Sequence, residues 1–127
     1  MLTLEETIVD THDDYNPWAD CVVGFNNDGD FVIRYNFIDY DNRSNCYTRD
    51  AIIKKDNAWE VARFLKIHLT ELPQHLEKKL GKPLDSSTAT GVRNVFEDVL
   101  NYMGANKGIY KLHRSDLQDT DIYLCSK

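Results

Sequence analysis

The side chains able to do chemistry lie mostly in the first half of the chain. In the run DTHDD, Asp10, His12, Asp13 and Asp14 set one imidazole among three carboxylates, the donor types of a hard or borderline metal site. No second histidine follows at helical spacing, so the expectation is a solvated acidic loop and no metal is assigned. Asp39, Asp41 and Asn45 at the first, third and seventh positions, with Asp50 twelfth, imitate a calcium loop. Ser44 stands where that loop needs glycine, and Asp50 where it needs a bidentate glutamate. Nucleophilic chemistry has no better support, because the chain contains no Gly-x-Ser-x-Gly elbow, no P-loop, no Gly-x-Gly-x-x-Gly and no His-Glu-x-x-His. Of the histidines at 12, 68, 75 and 113, His68 falls between Leu65 and Leu69 on an apolar stripe, where a packed or half-buried ring is expected rather than a general base. Cys21, Cys46 and Cys125 are odd in number and lack metal-ligand or redox spacing; Cys21 and Cys125 stand in apolar runs, as buried thiols do. No catalytic residue and no cofactor is assigned.

One constellation survives. Tyr15, Trp18, Tyr40 and Tyr47 are interleaved with Asp13, Asp14, Asp20, Asp39, Asp41 and Asp50. Rings supply desolvated anchors and carboxylates pair with Lys or Arg, which suits an interface against a basic protein. The candidate partner-binding residues are Asp13, Asp14, Tyr15, Trp18, Asp39, Tyr40 and Asp41. For Trp18 and Tyr47 the competing expectation is core packing at strand edges. Charge points the same way: residues 1–50 carry eleven acidic and three basic side chains, a net of −8, whereas residues 51–85 are net +2 and residues 86–127 are neutral. A local negative field repels phosphate backbones and steers basic partners inward, so direct nucleic-acid binding is disfavoured.

The elements that must position these residues follow from periodicity. CVVGF and FVIRYNF flank NNDGD, which reads as a β-hairpin. A three-residue Asn27-Asp28-Gly29 loop with Gly29 left-handed pairs Phe25 with Phe31, Val23 with Ile33 and Cys21 with Tyr35, gathering one apolar face and leaving Arg34 and Asn36 on the other. Ala58, Val61, Ala62, Leu65, Leu69 and Leu72 recur at steps of three and four after Asp56, predicting a helix over about 57–72 capped by Asp56. Pro73 then imposes a kink or break before a second helix that carries Leu76 and Leu80 and ends at Gly81. Ser86 or Ser87 caps a third, with Val92, Val95, Phe96, Val99, Leu100 and Met103 on one side and Gly104 as its stop. GIYKLH (108–113) and DIYLC (121–125) around SDLQDT read as a second hairpin, and TLEETIV as a further strand.

Strands, then helices, then strands imply an α+β fold: an antiparallel sheet with about three helices packed on one face, in a single domain over residues 1–127. No apolar run is long enough for a membrane span, and the acidic start MLTLEETIVD differs from a signal peptide, so a cytoplasmic protein is expected.

With its acid-aromatic stretches DTHDDYNPWAD and IDYDNRSNCY, its acidity and its length, the chain resembles the small cytosolic immunity proteins that bacteria make against their own antibacterial toxins, nuclease toxins above all. That resemblance implies a non-catalytic protein that covers or distorts the active site of a cognate basic toxin. The alternative is a small enzyme or ligand-binding domain with a pocket between helices and sheet, using His68, His113 or Cys125.

Overall fold

The computed structural model describes residues 2–11, 18–39, 41, 46–81 and 89–116. Five strands form one antiparallel sheet in sequential order: β1 (Thr3–Asp10), β2 (Trp18–Phe25), β3 (Phe31–Ile38), β4 (Tyr47–Ile53) and β5 (Tyr110–Asp116). Helices α1 (Lys55–Leu65), α2 (Leu72–Leu80) and α3 (Ala89–Ala105) lie between β4 and β5. The fold is α+β, with α3 packed across β2 and β3 and reaching β1, while α2 lies over β1.

The hairpin register is the one the alternation predicts: Phe25 faces Phe31, Val23 faces Ile33 and Cys21 faces Tyr35. Gly29 adopts φ 83°, its N–H donates to the Asn26 carbonyl at 3.0 Å, and the Asn26 side chain accepts the Asp28 and Asp30 N–H groups. Only glycine takes that left-handed position without strain. The inward side chains of β2, β3 and β4 meet Ala58, Val61, Leu72, Leu76, Val92, Phe96, Val99 and Met103 in the main core. Tyr35 and Phe96 are in ring contact across the layers, with centroids 5.7 Å apart.

The opposite, outer face is polar across much of its width. Arg34 donates to both oxygens of Asp50 at 2.8 and 3.1 Å, and Thr48, Asn36 and Asp20 form a hydrogen-bonded row. Asp50 is thus a strand residue engaged with Arg34, which dissolves the calcium-loop pattern of 39–50. A small apolar patch of Leu2, Val22 and Val32, with Ile52 beside it, interrupts the polar surface. Leu2 reaches it because β1 is irregular, with two register shifts and Leu4 at φ 54°.

Several sequence expectations are corrected. The first helix does not run from 57 to 72, and Asp56 does not cap it: α1 starts after Lys54 and stops at Leu65, where Lys66 turns left-handed at φ 62° and the Ile67 N–H closes back on the Ala62 carbonyl. The break therefore precedes Pro73, which sits in the first turn of α2, where its missing N–H costs nothing. His68 is not packed on the stripe. Its side chain is 89% exposed in the connection, and its N–H donates to Glu71 at 3.2 Å. Gly104 lies inside α3 rather than ending it, and the Gly108 N–H returns to the Met103 carbonyl after Lys107 adopts φ 75°. Strand β4 was not foreseen, and β5 pairs with it. Ser86, Ser87 and the expected strand 121–125 lie outside the described residues.

Candidate functional site

The sequential strand order carries the two acid-aromatic stretches to one end of the sheet. Strand β1 ends there, β2 begins, β3 ends and β4 begins, so the connections at 11–17 and 39–46 open side by side. Each opening is closed by a side chain. At the first, the Thr11 N–H donates to the Ala19 carbonyl at 2.9 Å, while the Ala19 N–H donates to the Thr11 hydroxyl at 3.1 Å. Thr11 is a buried polar residue for this reason. At the second, the Asp39 N–H donates to the Cys46 sulfur at 3.3 Å and the thiol points back to the Asp39 carbonyl at 3.6 Å. Trp18 joins the two openings, since it stands opposite Ile38 in the β2–β3 ladder and packs on the small cluster of Ile38 and Cys46.

Acidic groups surround this clasp. Asp10 and Asp20 are direct cross-strand partners. Like charges in that relation repel, and Arg34 is near enough for its charge to offset part of that repulsion at Asp20. Asp20 accepts from the Asn36 side chain at 2.7 Å. Asp39 accepts the Asp41 N–H at 3.0 Å, which folds the chain so that Asp41 is exposed. Toward the β2–β3 turn the charges are mixed: Lys54 lies 3.7 Å from the buried Asp30 carboxylate, which also accepts the Lys55 N–H at 3.0 Å.

Of the seven candidate partner-binding residues, the structure places Trp18, Asp39 and Asp41 together at this end. Asp13, Asp14, Tyr15 and Tyr40 lie outside the described residues, within the two connections. Trp18 is half-buried, so it serves the clasp and still presents surface. Tyr47 belongs to the core edge, stacked on Phe37 at 5.3 Å between centroids. Sequence reasoning missed the roles of Asp10, Asp20, Thr11 and Cys46; only the pairing of Asp10 with Asp20 across β1 and β2 reveals the first two.

Of the residues named for an enzyme, the described pair His68 and His113 do not converge. His68 stands in the helix layer and His113 on the outer face of the sheet, opposite Asp50, while Cys125 lies outside the described residues. Burial pushes the Cys21 thiol far above its ordinary range, with the Asp20 charge adding to the effect, so this sulfur stays protonated. Tyr35 is likewise held protonated by burial and by Tyr47. On the helix layer the His75 ring and the Tyr102 hydroxyl are hydrogen-bonded at 2.8 Å between α2 and α3. Among the described residues no group of three His, Cys, Asp or Glu side chains is arranged to hold a metal, and no helix is long and apolar enough to cross a membrane. No protein-family model, curated protein or solved structure matches the chain.

Proposed function

We propose that this is a non-catalytic binding protein whose acidic end docks onto a positively charged partner protein. The observation that carries the reading is the Asp10–Asp20 pair beside the Trp18 clasp. Two carboxylates facing each other across a ladder repel, Arg34 offsets part of this at Asp20, and a cationic partner relieves more of it on binding. Asp39 and Asp41 widen the field, and Trp18 supplies a ring already held in one orientation, which lowers the entropy lost when it is buried. Within this class the reading is an immunity protein, acting in the bacterial cytoplasm, that neutralises a cognate nuclease-type toxin by covering or distorting its active site.

The test compares the native chain with a variant neutralised at Asp13, Asp14, Asp39 and Asp41, each to asparagine, against a basic partner captured from the native host. Raising salt from about 0.05 to 0.5 M shortens the Debye length from roughly 14 to 4 Å, so association of the native chain slows markedly while dissociation changes less. The folded variant loses affinity and most of that salt dependence. Unchanged affinity and salt response in the variant would reduce the acidic end to a solvated surface.

A further inference from the structure

Strands β4 and β5 set two arginines against each other on the helix-facing side of the sheet. Tyr35, Arg49 and Arg114 are successive cross-strand partners on β3, β4 and β5, so their side chains share one row. Like charges directly opposite repel. Each guanidinium is fixed against a ring: Arg49 lies 5.5 Å over Phe96 of α3, and Arg114 lies 4.1 Å over Tyr47. Both rings pack on Tyr35, with centroids 5.7 and 6.0 Å away. Arg93, one turn before Phe96 on α3, is the third cation. Against the rise that burial and then Tyr47 impose on the Tyr35 hydroxyl pKa, the charges of Arg93 and Arg49 both act, so both lie near it. Arg49 is half-buried, while Arg93 and Arg114 are exposed. Among the described residues no carboxylate forms an ion pair with Arg49 or Arg93, and Asp10, Asp20 and Asp50 stand on the opposite face of the sheet. A guanidinium stacked by its face keeps the N–H donors of its edge for an anion.

We propose that Arg49 and Arg93, with the field of Arg114 beside them, form an anion site that takes a phosphate group, as the free ion or as a small phosphate monoester. A phosphate carries close to two negative charges at neutral pH and spreads its oxygens tetrahedrally, so it accepts from guanidiniums that approach from different elements. A carboxylate, planar and singly charged, matches only one such fork. The contact needs Arg49 and Arg93 alone, since Arg114 has a further interaction of its own. Trp18 and Asp20 share the outer face of the sheet, so variants address this site and the acidic end separately.

The test titrates inorganic phosphate with the full chain and follows the phosphorus NMR line, with sodium chloride holding ionic strength constant. Binding should saturate, and the same phosphate should raise the urea midpoint. Arg93→Gln, at an exposed helix position, should weaken binding about tenfold, the worth of one charge-assisted hydrogen bond. Arg49→Gln should do the same, and Arg49→Lys should recover part of it, because a point charge replaces the fork. Urea melts without phosphate show that each variant is folded. Asn at Asp39 and Asp41 should not weaken phosphate binding, which separates this site from the acidic end. Adenosine monophosphate in place of the free ion distinguishes the source: tighter binding assigns a monoester, equal or weaker binding the free ion. No saturation above the chloride control, or equal binding by the Arg49→Gln and Arg93→Gln variants, overturns the proposal. So does binding that emerges only in Asp116→Asn, at the cross-strand partner of Tyr47, because the chain's own carboxylate would then fill the site.

Discussion

Trp18 stands directly across the β2–β3 ladder from Ile38, and its ring rests on Ile38 and on Cys46. One side chain thereby links the openings of two acidic connections that are far apart in sequence. Trp18→Ala should lower unfolding free energy by about 1–2 kcal/mol, the worth of a half-buried large side chain. Urea denaturation of the native and variant chains measures this. Trp18→Phe should recover most of it, and an alanine variant with an unshifted midpoint would mean that the ring does not bind the openings together.

Gly24 has no room for a side chain. A Cβ there would stand 2.7 Å from the Leu2 Cβ, 2.9 Å from the Thr3 carbonyl oxygen and 3.2 Å from the Glu5 Cα. Gly24→Ala should therefore destabilise by about 1–3 kcal/mol, as overpacking does. Adding Leu2→Ala should restore little of the loss, because alanine keeps the Leu2 Cβ and the Thr3 and Glu5 contacts are with backbone. Thermal melts of the single and double variants give the comparison, and full recovery in the double variant would mean that freeing the Leu2 side chain lets the backbone move away from the new Cβ.

The His75 pair is expected to make stability fall on acidification. Burial, then the Lys79 charge, holds the folded pKa of His75 below its ordinary 6.5. The unfolded chain then binds the proton more readily. The contribution of His75 is whole above pH 6.5 and is lost as pH falls below that value toward the folded pKa. Denaturation midpoints measured from pH 8 to pH 5 should decline less in His75→Gln than in the native chain, on the ordinary range of histidine titration. Identical slopes would remove His75 from the pH response.

Cys21 should be inert to alkylation in the folded protein. Its sulfur is fully buried and its thiol pKa is pushed far up by that burial. Labelling with iodoacetamide, followed by mass spectrometry of the Cys21 peptide, should track global unfolding as urea is added. Labelling well below the unfolding transition would reveal local opening of β2.

The β2–β3 hairpin was legible from sequence down to its register, because alternation permits only one pairing that keeps Phe25, Phe31, Ile33 and Tyr35 on one face, and Gly29 marks the turn. The amphipathic stripes and the α+β class followed from the same local rule. The stop of α1 did not: Lys66 takes a left-handed conformation without being glycine, held by backbone bonds to Arg63 and Ala62 that periodicity cannot see. Strand β4 was hidden because Arg49 and Asp50 interrupt its apolar residues. Arg49 lies over the Phe96 ring and Asp50 pairs with Arg34, partners that only folding supplies. The acidic composition of residues 1–50 was plain from the start, and its candidate residues Trp18, Asp39 and Asp41 do share one end of the sheet. That Asp10 faces Asp20, and that Thr11 and Cys46 close the two connections, was decided by strand order and register. Those are pairings across the sheet, and no local spacing in the chain encodes them.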